Sequence, residues 1–259
     1  MTVVSAFRPP RPAQERYGQL TVHTYPTLTG MAVGAAADVA AVLTTAIAAN
    51  GHANAMFATG NSQLAMLDTL VGDHRIEWDL VRVFHMDEYV GLPDGHPASF
   101  ARYIRERIVE KVHPLDAFYV GNTAAAASEY AAVLRQWPLD VCVLGIGENG
   151  HLAFNDPAVA DFNDPLDVKV VDLDEACRRQ QVGEGHFPTL EDVPRQAVTV
   201  TIPALLRARQ VVVVCPEARK APAVKESLTG AVRTVCPASI LQRVEHARLY
   251  LDSDSAKFL

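Results

Sequence analysis

Four apolar residues, Val141-Cys142-Val143-Leu144, are cut off by Gly145 and followed by I-G-E-N-G-H-L-A-F-N-D-P through Pro157. An uninterrupted apolar run with two β-branched valines describes a strand buried on both faces, as in the middle of a parallel sheet. In open α/β sheets the ligand crevice lies beyond the carboxyl ends of the strands. At that position stand three glycines, one histidine, two amides and two acids. His151 is the leading candidate for chemistry.

Gly145, Gly147 and Gly150 also spell G-x-G-x-x-G, the dinucleotide fingerprint. That fingerprint needs a long helix opening at the last glycine and an acid about 20 residues on. Asn155, Asp156 and Pro157 break any helix after about one turn, so no nicotinamide, and no other cofactor, is expected. Gly147 instead lets the backbone pass close to a small ligand.

Strand and helix signals alternate along all 259 residues, which favours one α/β domain over residues 20–259, preceded by an irregular, proline-rich arm over residues 1–19. A formal charge of −7 and a pI near 5.7 argue against nucleic acid as a partner. An anionic small molecule stays open, because only the field of its pocket matters. Cys142, Cys177, Cys215 and Cys236 are too widely spaced for a zinc site or a disulfide framework. They suit a reducing cytoplasm. No uninterrupted apolar window reaches about 18 residues, so no membrane partner is expected. A homo-oligomer is compatible with all of this.

Leu20–Tyr25 reads as a strand, and 29–50 as an Ala-rich helix closed by Gly51. Ala55–Ala58 reads as a buried strand that delivers Thr59, Gly60, Asn61 and Ser62 to a helix start. Such a turn is a ready anion site, or simply a helix cap with nothing bound. Val81–Met86 is the next strand, and it brings Asp87 and Glu88 to the same crevice. His85 within it suits a satisfied core histidine better than a catalyst. Ser99 caps a helix to Lys111, and a second Ala-rich helix spans Thr123–Gln136. Residues 172–185 form a helical turn, with Gly183 and Gly185 bounding a candidate lid. Val198–Ile202 and Val211–Cys215 flank a helix as a βαβ unit would. The second delivers Lys220 to a helix start, where a cation opposes the dipole and calls for an anionic partner. Leu249–Leu251 closes the set as an edge strand. Together these signals describe a doubly wound, mostly parallel sheet with helices on both faces, a modified Rossmann-like layer structure without a dinucleotide.

The segments A-T-G-N-S at Ala58–Ser62, M-D-E-Y-V-G-L-P at Met86–Pro93 and G-I-G-E-N-G-H-L-A-F-N-D-P at Gly145–Pro157 resemble the glucosamine-6-phosphate deaminases, as does V-T-V-T-I-P-A-L-L-R-A at Val198–Ala208. The 6-phosphogluconolactonases are a looser likeness. The resemblance implies ring opening of an amino-sugar phosphate, proton transfer between C1 and C2, and loss of ammonia, with no metal. It matches His151 to ring opening, for which an imidazole with a pKa of about 6.5 is suited. It matches Asp87 to the proton-transfer base, and the Thr59–Ser62 turn with Lys220 to the phosphate site. The lid arginine of that site has no clear counterpart; Arg179, Gln181 and His186 are candidates. An allosteric activator site is not recognisable, so no such regulation is expected.

Two positions depart from the pattern. Asn149 stands for an aspartate, and Asp156 for a glutamate. Asn149 keeps its hydrogen bonds and loses the charge, while Asp156 is expected still to orient His151. These departures keep the galactosamine epimer open as substrate. A lactonase lacks the Met86–Leu92 pattern as it stands here. A non-catalytic sugar-phosphate sensor would need a DNA-binding module, for which residues 1–28 are too short.

Overall fold

In the computed structural model, residues 11–93 and 95–259 are described; residues 1–10 of the expected arm lie outside the described residues. The described strands are β1 (Ala13–Tyr17), β2 (Leu20–Tyr25), β3 (Ala53–Phe57), β4 (Val81–His85), β5 (Asp87–Tyr89), β6 (Asp116–Phe118), β7 (Val141–Leu144), β8 (Val168–Asp172), β9 (Gln196–Val200), β10 (Gln210–Val214) and β11 (Ala247–Asp252). The α-helices are α1 (Leu28–Asn50), α2 (Leu64–Val71), α3 (Phe100–Ile104), α4 (Glu110–Val112), α5 (Ala126–Gln136), α6 (Glu175–Gly183), α7 (Ile202–Leu206) and α8 (Ala221–Thr229).

Eight strands make one sheet in the order β1-β2-β11-β10-β7-β3-β4-β6, parallel throughout except for β1. The expected doubly wound sheet is present. From β3 the chain runs outward to β4 and β6, then returns to place β7 on the other side of β3. This reversal of direction is the switch point at which open α/β sheets hold their ligands.

Alternation along the strands sends side chains to two cores. Val141, Val143, Val212 and Val214 pack with Met31, Val39 and Leu43 of α1 and Leu67 of α2. Cys142, Leu144, Val211 and Val213 pack on the opposite face with Tyr130 of α5, Leu205 of α7 and Val224 of α8. Helix α1 is long and apolar enough by composition to cross a membrane, but its buried side is part of the first core. Thr27 caps its start by accepting from the Gly30 N–H at 3.1 Å, and Gly51 ends it in the left-handed region at φ 75° with its N–H on the Ile47 carbonyl.

Three features differ from the expectation. Ala13–Tyr17, expected to be irregular, is an antiparallel edge strand on β2. Strand β11, expected at an edge, lies inside the sheet between β10 and β2. Strands β9 and β10 do not form a βαβ unit, because β9 belongs to a separate antiparallel sheet of order β5-β9-β8. Its pairing of Asp87 with Thr199 joins residues far apart in the chain, which local β propensity cannot report. This small sheet and α6 enclose a third core in which Phe100, Phe154 and Phe187 surround the Tyr89 ring. The large sheet thus ends in a cleft with an aromatic wall.

Candidate active site

The turns after β3, β4, β7 and β10 supply one cleft. Thr59, Gly60 and Ser62 line it after β3, Asp87 after β4, Gly147 and His151 after β7, and Lys220 after β10. The parallel register brings these strand ends to one level.

Asp87 is buried and its Oδ1 has no hydrogen-bond partner among the described residues. Burial, reinforced by the neighbouring Glu88 charge, raises its pKa well above the usual carboxylate range. A carboxylate of that kind is a stronger base than one in water. His85, two residues earlier, is the satisfied core histidine expected of it. Its Nε2 accepts from the Val120 N–H at 2.9 Å, which leaves Nδ1 to donate to the Asp87 carbonyl at 2.9 Å. Burial lowers its pKa to about 4.

His151 has its Nδ1 3.0 Å from Asp156 Oδ1, close enough for an ion pair but off the line of a straight hydrogen bond. Burial alone would raise the Asp156 pKa. Contact with His151, the Asn149 amide and the Asp174 N–H outweighs it and holds the carboxyl below its ordinary value. With Nδ1 turned to Asp156, Nε2 is the nitrogen left for the cleft. Asn149 stands behind this pair: its Oδ1 accepts from the His151 N–H at 3.0 Å, and its Nδ2 donates to Asp156 at 3.0 Å and to Asp174 at 3.2 Å. Gly147 packs under the imidazole so closely that a Cβ there would lie 2.3 Å from the ring.

His151, Asp156 and Cys177 bring a ring nitrogen, a carboxylate oxygen and a sulfur within 4.8 Å of one another. These are metal-ligand types, yet each is already engaged. Asp156 faces the imidazole and the Cys177 thiol lies beside it, while burial, Asp156 and Asp174 all push the thiol pKa up. The group reads as support for an imidazole.

The anion turn is held from outside by Tyr103, whose hydroxyl donates to the Gly60 carbonyl at 3.1 Å. Inside, Thr59 Oγ1 is buried without a partner among the described residues. The Lys220 side chain is 4% exposed, and its nearest carboxylate is Glu184 at 4.0 Å. An unpartnered hydroxyl and a buried ammonium in one cleft are two donors suited to an anion.

Four expected site residues fall elsewhere. Glu88 does not line the cleft; its carboxylate accepts from Ser99 Oγ at 2.8 Å and from the Tyr89, Phe100 and Ala101 N–H groups at 3.0, 3.3 and 2.9 Å, capping α3. Arg179 is 67% exposed and paired with Glu175 one turn back on α6. His186 and Asn61 lie on the far side of the turn, in a neighbouring depression. Gln180 and Gln181 of α6 and Glu184, just past its end, do reach the cleft, and of these only Gln181 was a candidate from sequence. Gln63 was also missed: buried, it donates to the Val214 carbonyl at 3.2 Å and to Ser62 Oγ at 3.0 Å.

Residues 26–250 match the family described as glucosamine-6-phosphate isomerases/6-phosphogluconolactonase. A glucosamine-6-phosphate deaminase of Exiguobacterium sibiricum is 36% identical over 208 residues, covering 78% of this chain and 79% of the relative. One of Bacillus thuringiensis is 34% identical over 203 residues, covering 76% and 75%. Among solved structures, a monomeric glucosamine-6-phosphate deaminase superposes with a TM-score of 0.83 at 25% identity, covering 92% of this chain and 99% of that one. A 6-phosphogluconolactonase of Thermotoga maritima superposes with a TM-score of 0.72 at 18% identity, covering 90% and 99%, a likeness of fold alone.

Two substitutions test the geometry. Gly147→Ala should push the His151 ring out of place and cut any turnover that uses it by about a hundredfold, the usual effect of an ångström-scale misplacement; unchanged turnover with a native circular dichroism spectrum would detach His151 from the chemistry. Glu88→Gln should lower stability by about 2 kcal/mol, because buried donors at the start of α3 lose a charged acceptor. A thermal midpoint equal to that of the wild type would show that the cap is dispensable.

Proposed function

The chain belongs to the family of glucosamine-6-phosphate isomerases and 6-phosphogluconolactonases and is an enzyme, and we propose that it converts glucosamine 6-phosphate and water to fructose 6-phosphate and ammonia. The observation that carries this reading is the meeting, in one cleft, of a buried carboxylate of raised pKa, a carboxylate-backed imidazole, an unpartnered Thr59 hydroxyl and the buried Lys220 ammonium.

The phosphate lies between the Thr59–Ser62 turn and Lys220. His151 Nε2 takes the proton of the anomeric hydroxyl and returns it to the ring oxygen, which opens the ring, while Asp156 holds the imidazole through Nδ1. Asp87 removes the proton from C2 and delivers it to C1, passing through an enolamine. Water then adds at C2 and ammonia leaves, so that one water is consumed for each ammonia released. No metal or cofactor is needed for these steps.

Asn149 and Asp156 sit behind the imidazole and do not line the cleft. Their departure from the family pattern therefore bears on the histidine more than on the sugar hydroxyls, which keeps glucosamine 6-phosphate ahead of its galactosamine epimer. Lactonase chemistry is the second reading, because the same cleft could direct water at an ester and the fold is common to both activities. The four buried free thiols fit a cytoplasmic enzyme, whose partner is a small sugar phosphate.

Ammonia release should be seen with glucosamine 6-phosphate, with fructose 6-phosphate as the second product. Silence with both amino-sugar phosphates, alongside hydrolysis of 6-phosphogluconolactone above its spontaneous rate, would give the lactonase reading instead. Asp87→Asn should abolish turnover and yet stabilise the fold at pH 8. The sign follows from the raised pKa: stability from the protonated carboxyl is complete below its unfolded pKa of about 4 and is lost as pH rises through the folded value. The asparagine form escapes that loss, so melting curves should separate at pH 8 and converge near pH 4. Full activity in Asp87→Asn would remove Asp87 from the mechanism.

A further inference from the structure

Glu184, at the C-terminal end of α6, lines the same cleft as Thr59, Ser62 and Lys220. Its side chain is 6% exposed. Oε1 accepts from Arg219 Nη1 at 2.9 Å and from Gln180 Nε2 at 2.8 Å, and lies 4.0 Å from Lys220 Nζ; Oε2 lies 3.4 Å from His186 Nε2. Burial alone would raise its pKa. Contacts with His186, Lys220, Arg219 and Gln180 prevail and bring it down to about 2, so the negative charge persists.

That charge changes the character of the anion end. Arg219 also meets Glu217 at 2.7 Å and Glu148 at 3.1 Å, so its guanidinium is shared among three carboxylates. The Lys220 ammonium has no hydrogen-bond partner among the described residues, and Glu184, at 4.0 Å, is the carboxylate it faces. Within the cleft lining the Lys220 charge is matched by that of Glu184, while Arg219, outside the lining, is spent on its three carboxylates, so this end of the cleft has no net positive charge. A phosphate within hydrogen-bond reach of Lys220 is thereby brought within a few ångströms of the Glu184 carboxylate.

We propose that Glu184 is a tethered stand-in for the ligand's anion: it occupies the cationic end of the empty cleft, and an incoming phosphate must take Lys220 from it, so that Glu184 sets the phosphate affinity of the site. This rests on the reading of the cleft as a sugar-phosphate pocket. The backbone allows the exchange. Glu184 lies between Gly183 and Gly185, the latter at φ 81°, and the Asn61 amide holds its carbonyl at 3.3 Å, so the end of α6 is joined through the backbone to the Thr59–Ser62 turn while the Glu184 side chain is left free of that tie. Glu184 is a specificity-determining residue that touches neither of the carbons between which the proton moves.

A pure buttress would aim Lys220 and Arg219 and improve phosphate binding; a stand-in opposes it. Calorimetric titration of the full chain with inorganic phosphate, glucosamine 6-phosphate and neutral glucosamine separates the two. In Glu184→Gln both phosphates should bind about tenfold more tightly than to the wild type, the scale of one relieved like-charge contact, while glucosamine binding is unchanged. Glu184→Ala should shift affinity in the same direction. Equal or weaker phosphate binding in both variants overturns the proposal and makes Glu184 a buttress. Binding is read independently of turnover: tighter binding in a protein that releases no ammonia supports the stand-in and sinks the deaminase reading. Failure of wild type and variants alike to bind either phosphate sinks both.

Discussion

The parallel pairing of β7 between β3 and β10 is the constraint from which the cleft follows. Phe57 pairs with Val143 and Val213 with Leu144, so the three central strands end within two residues of one another. A slip of one residue would turn Val143 and Leu144 to the wrong cores, which fixes the register by burial on both faces. Where the ladder runs out, backbone carbonyls need new partners. Gln63 supplies one by donating to Val214 O, and in doing so it fastens the anion turn after β3 to the end of β10. The same strand endings that place Thr59, Gly145 and Lys220 in one layer also leave the carbonyls that Gln63 satisfies.

Within that layer three acids with largely buried side chains meet different fates. Asp87 lacks a partner for Oδ1, so desolvation prevails and its pKa rises. Asp156 and Glu184 are buried too, but each is surrounded by donors or cations, and both are held below their ordinary values. Environments that push like groups apart in pKa are how one cleft holds a base and fixed negative charges together. Asp87 is thereby driven toward its protonated form, and Asp156 and Glu184 toward their ionised forms.

Much of this was legible from local sequence. Buried strands announce themselves by composition, so β3, β4, β7 and β10 and the turns after them could be read directly, and with them Thr59, Asp87, His151 and Lys220. Sheet membership was not legible. The β9 and β10 segments look alike as valine-rich runs, and only pairing across distant residues assigns one to the small sheet. Asp87 and Glu88 are adjacent acids, but alternation along a strand sends neighbours to opposite faces, a signal that could have separated the acid that lines the cleft from the one that caps α3. Arg179 was misread because the phase of α6 was unknown; one residue further along, a turn of about 100° carries Gln180 into the cleft. Glu184 was hidden for another reason. Its meaning depends on Arg219 and Lys220, some 35 residues away.

Asn149 shows how a departure from a family pattern becomes intelligible once neighbours are in place. The resemblance leads one to expect an aspartate beside the histidine, and its loss looks like a weakened site. Yet the Asn149 amide donates to two carboxylates at once, Asp156 and Asp174, while its carbonyl takes the His151 N–H. Aspartate at 149 would offer those carboxylates no donor and would add a third negative charge between them. Asp174 meanwhile accepts from the Cys177 N–H at 2.7 Å as the cap of α6, so the asparagine links the support of the imidazole to the helix that carries Glu184. The negative charge behind the imidazole is carried by Asp156 and Asp174, and the uncharged amide joins the two by donating to both.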